Sequence, residues 1–332
     1  METKVFLERR KGMIAVTTND KFLKRKDIEE AFPQILEKGE EWKVYPDFES
    51  MVADKDKIEI LFNTSPLDKE KIKEFKNLRW IFSYSAGVEH YPQKELQEMG
   101  VILTNTSGVH SKSISEQVLG AMIMFSRNLL AAMKNREKKI FDRNFPLREL
   151  TGENLLIVGT GAIGREIARR AKAFDMKVTG IRNHAGGDLP ENFDAVYSAD
   201  SLKEHLSGFQ YIVCVVPSTE KTRGLFDRRK FSLMDPDTVF MNVGRGDLIV
   251  EEDMIEALEK KKIRGAYLDV FPTEPLPQDS KFWDLDNLLI TPHNAGPTPH
   301  YFERAIKIFS ENLSHFRKGE KMINQVNYQE KY

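Results

Sequence analysis

The sequence predicts an α/β protein of two doubly wound domains, each built on a parallel sheet. Three observations carry that expectation. Short apolar runs alternate with charged, helix-forming stretches through the first hundred residues. From Asn154 onward the alternation becomes regular. The chain has 332 residues, 40% of them hydrophobic, which suffices for two cores.

Taken in order, "MIAVTT", "KIEILF", "RWIFS" and "VILTN" read as strands. "SPLDKEKIKEFKNL" opens with Ser-Pro and then acids, a helix start. "SISEQVLGAMIMFSRNLLAAMKNREKK" reads as one long helix, with Ser113 and Glu116 as a capping box. It is too apolar for a fully exposed element, so it is either a core helix or one that packs across domains or between subunits. Beyond Asn154 the strands are "NLLIVG", "KVTGI", "YIVCVV", "TVFMN", "GAYLD" and "LLITP", with helices such as "AIGREIARRAKAF" and "VEEDMIEALEKKK" between them. The closing "YFERAIKIFSENLSHFRKG" is an amphipathic helix that follows the last strand and can fold back on the first domain. The expected domains are 1–104 plus 299–332, and 105–298.

Composition excludes several classes. Lys+Arg 50 against Asp+Glu 51 leaves a net charge of −1, with no basic stripe for nucleic acid. "RRKG" and "EKKKIR" read as solvated charge runs. A lone cysteine, Cys214, rules out an internal disulfide and suits a reducing compartment. Its apolar surroundings place it inside a strand. The N-terminus lacks a signal-peptide pattern, and no apolar run approaches the roughly 18 residues of a membrane span. The expectation is a soluble, cytoplasmic protein without a metal.

"NLLIVGTGAIGREIARR" contains G-x-G-x-x-G at Gly159, Gly161 and Gly164, between an apolar strand and an amphipathic helix. In that setting the glycines allow a tight turn, a close approach by a pyrophosphate and close helix–strand packing, as in a Rossmann domain. The helix N-terminus offers its free N–H groups to phosphate. Arg182 ends the next strand, 18 residues after Gly164. An acid there would hold an adenosine ribose, whereas an arginine can fork onto a 2′-phosphate. Asn183 and His184 add donors. The expected cofactor is therefore NADP in preference to NAD. The competing reading has Arg182 lying over the adenine or pointing to solvent.

Three later strands end in polar groups, "FMNVGRGDLIV", "AYLDVFPTEPLP" and "LLITPHNAG". Ligands of open α/β sheets bind beyond such strand ends. Arg245 can fork onto a substrate carboxylate and carbonyl, protonated His293 can deliver a proton to the carbonyl oxygen, and Glu274 can orient and charge the imidazole. Asp269 fits better as a partner of the nicotinamide. Each has a plainer alternative: Arg245 as a helix cap, Glu274 as an exposed residue of a proline-rich turn. The other six histidines, His90, His110, His184, His205, His300 and His315, read as surface, cap or loop residues.

Together these stretches resemble the D-isomer-specific 2-hydroxyacid dehydrogenase family over nearly the whole chain. The resemblance implies two Rossmann-like doubly wound domains with the active site in the cleft between them, the first flavodoxin-like and substrate-binding. It assigns catalysis to Arg245, Glu274 and His293 and nicotinamide binding to Asp269. "YSAGVEHYP" resembles the substrate loop, in which the N–H groups of Ala86, Gly87 and Val88 hold a carboxylate. The cofactor-lining set is completed by Ala162, Ile163, Val216, Pro217, Thr222, Val243, Gly244 and Gly296. A homodimer built largely on the helix after Ser113 is also implied. The 19-residue spacing from Glu274 to His293 and the arginine at 182 resemble the glyoxylate/hydroxypyruvate reductase branch. Serine feedback through the added regulatory domain of long phosphoglycerate dehydrogenases is not expected. The expected reaction is interconversion of small 2-oxo acids and D-2-hydroxy acids. D-lactate-type or short phosphoglycerate dehydrogenase activity is the alternative, and a dinucleotide-sensing, corepressor-like binding protein the alternative of another class.

Overall fold

A computed structural model describes residues 12–18, 23–65, 67–144, 146–183 and 186–329. The charge run at the N-terminus and His184 lie outside the described residues. Along the chain run β1 (Met13–Thr17), α1 (Arg25–Ile35), β2 (Trp42–Tyr45), α2 (Phe48–Met51), β3 (Ile58–Asn63), β4 (Trp80–Ser83), α3 (Gln93–Glu98) and β5 (Ile102–Thr104). There follow α4 (Ser111–Ser126), α5 (Leu129–Glu137), β6 (Asn154–Val158), α6 (Ala162–Lys172), β7 (Lys177–Arg182), β8 (Ala195–Ser198) and β9 (Tyr211–Cys214). The last elements are α7 (Arg228–Phe231), β10 (Val239–Asn242), α8 (Glu251–Glu259), β11 (Gly265–Leu268), β12 (Leu288–Ile290) and α9 (Tyr301–Lys318).

Two compact units result, Met1–Val109 with Pro299–Tyr332, and His110–Thr298. The first holds a five-stranded sheet in the order β2-β1-β3-β4-β5 and the second a seven-stranded sheet, β12-β11-β10-β9-β6-β7-β8. Every strand pair within them is parallel. Both orders reverse beside the first strand of the unit, between β1 and β3 and between β6 and β9, which is where open sheets receive ligands.

The core of the first unit includes an aromatic stack. Phe309 of α9 is fully buried against Trp80, ring centroids 5.0 Å apart, with Phe32, Phe62 and Phe82 around it. In the second unit α4 buries Ile114, Val118, Met122 and Phe125 among Leu155, Ile157, Val178 and Val213 of the sheet. Cys214 is fully buried, and burial pushes its thiol up to about 12 against a partly offsetting bond from the Val216 backbone.

Several local expectations are corrected. The long helix is two: Asn128 takes a left-handed conformation at φ 53° and separates α4 from α5. The core reading describes α4, while α5 buries none of its residues. Ser113 is not an N-cap. It lies inside α4, whose N-cap is His110, and its hydroxyl donates to the carbonyls of His110 and Gly296. Among the described residues, the stretch after Ser65 forms a 3-10 turn at Lys71–Glu74 in place of the expected helix, although the Asp68 carboxylate accepts from the N–H groups of Glu70 and Lys71. β2 and β8 are strands that the apolar pattern missed. Both lie at sheet edges and are mostly half-exposed.

Candidate active site

In the second unit the polar strand ends form a connected set. Asn242, last in β10, uses its side chain to shape the next turn: Nδ2 donates to the Arg245 carbonyl (2.8 Å) and Oδ1 accepts from the Gly244 N–H (3.1 Å). Arg245 thus stands just beyond the strand, on extended backbone. It caps only a short 3-10 turn, and without its side chain.

Asp269 follows β11 and is 2% exposed. Its carboxylate accepts from the N–H groups of Asn294 (3.0 Å) and Ala295 (3.1 and 3.2 Å) and from the Thr291 hydroxyl. Its carbonyl accepts from the His293 N–H at 2.8 Å. One buried acid therefore holds the loop after β12, in which His293 keeps a left-handed φ of 50°. That conformation is costly for a residue with a Cβ and persists only where surroundings enforce it.

His293 Nδ1 and Glu274 Oε2 are 2.7 Å apart, and Glu274 Oε1 accepts from the Phe271 N–H at 2.9 Å. Burial pushes the Glu274 carboxyl up. The His293 hydrogen bond, the Phe271 N–H and the charges of His293 and Arg245 outweigh it, and the group is held below the ordinary carboxyl range. With Nδ1 directed at the acid, Nε2 is the nitrogen left for another partner, on a side chain 51% exposed. Such a pair can give and take one proton at a fixed place.

At the glycine turn, a Cβ on Gly159 would lie 2.6 Å from the Val215 carbonyl oxygen, and one on Gly164 would lie 2.0 Å from that of Gly159. Both glycines are demanded by the protein itself. A Cβ on Gly161 would meet nothing within 4 Å. The space there is open, at the N-terminus of α6, whose first residues are Ala162 and Ile163. The residues thus fit a dinucleotide phosphate. Arg182 closes β7, and its Nη2 donates to the Gly186 carbonyl (3.1 Å), with Asn183 just beyond the strand. Val216 and Pro217 follow β9, where the Thr222 hydroxyl donates to the Pro217 carbonyl (2.7 Å) and accepts from the Thr219 N–H (2.8 Å). A Cβ on Gly244, next to Val243, would sit 2.9 Å from the Val216 oxygen. The Gly296 carbonyl accepts from Ser113 and lies 2.8 Å from His110 Nδ1.

In the first unit, Ala86, Gly87 and Val88 follow β4. The Ala86 carbonyl accepts from Asn105 Nδ2 (2.9 Å), and that of Val88 from the Tyr91 N–H (3.1 Å) and Gln93 Nε2 (3.0 Å). Among the described residues the three N–H groups bond to no protein acceptor.

The pattern of strand-end groups did not point to Thr291, Asn294, Asn105 or Gln93. Thr291 and Asn294 sit in the quoted "TPHNAG", so their neighbourhood was visible. Gln93 directly follows the quoted "YSAGVEHYP", five residues from Val88, whereas Asn105 lies 19 residues from Ala86 with no local signal to mark it.

The family model for the NAD-binding domain of D-isomer-specific 2-hydroxyacid dehydrogenases matches residues 119–295. The chain belongs to this family. Membership makes it an NAD(P)-dependent dehydrogenase by class. It is 33% identical over 260 residues to a D-3-phosphoglycerate dehydrogenase of Methanocaldococcus jannaschii, covering 78% of this chain and 49% of that protein, about half its length. It is 29% identical over 269 residues to a glyoxylate reductase of Korarchaeum cryptofilum, covering 80% of each. Among solved structures, an NADPH-dependent glyoxylate/hydroxypyruvate reductase of Sinorhizobium meliloti, in complex with NADP and sulfate, is 25% identical. It superposes with a TM-score of 0.77 over 97% of this chain and 100% of that one. A family member from Aeromonas salmonicida is 29% identical, with a TM-score of 0.76 over 96% and 99%. No helix among the described residues is long and apolar enough to cross a membrane.

Proposed function

We propose that the protein reduces a small 2-oxo acid, such as glyoxylate or hydroxypyruvate, to the D-2-hydroxy acid, with NADPH preferred as hydride donor. The observation that carries this reading is the 2.7 Å His293–Glu274 pair beyond the strand ends, on a loop locked by buried Asp269. His293 delivers the proton to the developing alkoxide from Nε2, and Glu274 holds Nδ1 and favours the imidazolium. Arg245 orients the substrate carboxylate and carbonyl through its fork. The Ala86–Val88 loop supplies N–H groups for a carboxylate. A bound nicotinamide supplies the hydride. Gly159, Gly161, Gly164 and the first turn of α6 would hold its pyrophosphate, and Arg182 would take the 2′-phosphate. Asp269 would serve the nicotinamide end.

The likeness to a phosphoglycerate dehydrogenase favours 3-phosphoglycerate oxidation as the second reading. Initial rates decide between them, on glyoxylate and hydroxypyruvate with NADPH and NADH in parallel, and on 3-phosphoglycerate with NAD and NADP. Turnover of glyoxylate or hydroxypyruvate that is faster with NADPH is the expected result. Turnover confined to the phosphorylated acid overturns the substrate assignment. A preference for NADH overturns the 2′-phosphate role of Arg182.

A homodimer completes the proposal. Met133 (57% exposed), Ile140 (51%), Phe141 (86%) and Leu147 (52%) leave an apolar stretch on and after α5 that a second copy would cover. Sedimentation at micromolar concentration should give twice the monomer mass, and Phe141→Glu should shift it toward one.

A further inference from the structure

The proposed role of the Ala86–Val88 loop depends on how its peptide planes are turned. In a trans peptide the C=O of one residue and the N–H of the next point in opposite directions. Fixing a carbonyl therefore aims the following N–H. The Ser85 carbonyl is held by Ser83 Oγ (3.2 Å) and the Thr106 N–H (3.3 Å), which aims the Ala86 N–H. The Ala86 carbonyl is held by Asn105 Nδ2, which aims the N–H of Gly87.

Asn105 is in turn held by the C-terminal tail. Its N–H donates to the Asn324 carbonyl (3.3 Å), and Asn324 Nδ2 donates back to the carbonyls of Asn105 (3.2 Å) and Ser107 (2.8 Å). Asn105 Oδ1 accepts from the Ser107 N–H at 3.0 Å, so its amide cannot rotate without breaking a second bond. The tail lies along the free edge of β5: Thr104 and Gln325 form an antiparallel bridge, and the Val326 N–H donates to the Leu103 carbonyl (2.8 Å). Val326 and Met322 are buried, and the Ile323 backbone is clamped in both directions by the fully buried Asn312 side chain. Asn324 adopts a left-handed φ of 53°, a conformation asparagine tolerates better than most residues. Among the described residues, the Ala86 carbonyl accepts no other hydrogen bond.

We propose that Asn105 and Asn324 are positioning residues: through these two amides the C-terminal tail sets the anion-binding loop that receives the carboxylate of the 2-oxo acid. This rests on the function proposed above. It assigns the tail a part in substrate affinity and none in hydride or proton transfer.

Two variants test it in the full chain. Asn324→Gly removes the amide and keeps the left-handed backbone; Asn105→Ala removes the donor to Ala86. The KM for glyoxylate should rise roughly threefold in the first and about tenfold in the second, the scale of one or two lost hydrogen bonds. Both kcat and the KM for NADPH should stay within about twofold, the signature of lost ground-state binding. Hydrogen exchange over residues 84–91 should accelerate in both variants without cofactor or substrate, while residues 291–296 are unchanged. Folded variants with unchanged KM and unchanged exchange at 84–91 would overturn the proposal. Exchange is read independently of turnover. Accelerated exchange in a protein that reduces no 2-oxo acid would keep the positioning role and sink the proposed function.

Discussion

The loops 291–295 and 85–88 are both fixed by polar side chains, buried Asp269 for the first and buried Asn105 with half-buried Gln93 for the second, but the two sets of anchors have opposite chemistry. In the second unit the anchor is a carboxylate: Asp269 takes up the N–H groups of Asn294 and Ala295. In the first unit the anchors include the amides of Asn105 and Gln93, which take up carbonyls at Ala86 and Val88. A carboxylate can only accept, so it consumes backbone donors and leaves a side chain, His293, as the group on offer. An amide that donates consumes acceptors and leaves backbone N–H groups on offer. The first arrangement suits a proton donor, the second an anion site.

The contrast can be broken most sharply at its functional end. His293→Gln should lower turnover on glyoxylate by about 10²–10⁴-fold with NADPH binding retained, measured by steady-state rates and cofactor fluorescence. Normal turnover in that variant removes His293 from the chemistry. Asp269→Ala strands the buried Ala295 N–H and releases the Thr291 hydroxyl, and should cost about 2–4 kcal/mol in denaturant unfolding. Gln93→Ala, with Tyr91 still bonding the Val88 carbonyl, should cost about 1 kcal/mol or less. Equal losses would mean that the two anchors do not differ as described.

Acid should separate the loops further. The Glu274 carboxyl is held low, so its contribution to stability is fully present above the ordinary carboxyl value of 4.5 and is lost as the pH falls through its lower folded value. The stability gap between wild type and Glu274→Gln should therefore close on acidification, and exchange at 291–296 should accelerate before that at 84–91. A gap that persists at all acid pH values contradicts the assigned ion pair. The smallest effect is expected of Tyr267→Phe. The Tyr267 hydroxyl lies 3.0 Å from Thr291 Oγ1 and accepts from Gln117 Nε2 (2.7 Å), one step behind Asp269. Its loss should change kcat on glyoxylate by about threefold or less.

The strands of both sheets were legible where apolar runs are bounded by turns, as in "NLLIVG" and "YIVCVV". β2 and β8 were not, since four residues at a sheet edge with one face to water make no apolar run. The break at Asn128 was hidden because the residues on both sides are good helix formers and only one left-handed residue interrupts them. The strand-end polar groups could be read as a set. That Glu274 and His293 pair at 2.7 Å, and that Asp269 holds the loop between Thr291 and Ala295, needed coordinates. The link from Asn324 to Asn105 joins residues more than two hundred positions apart, a distance at which no periodicity or motif operates.

The buried Cys214 has a practical consequence. It is the sole sulfhydryl in the chain, fully enclosed and held in its protonated form well above neutral pH. Maleimides and similar reagents find no native target, so a cysteine introduced at the exposed Gln325 would be the single addressable position. A dye attached there, on Gln325→Cys, would report from the C-terminal tail alone, and lifting of the tail from β5 could be followed in an otherwise unmodified protein.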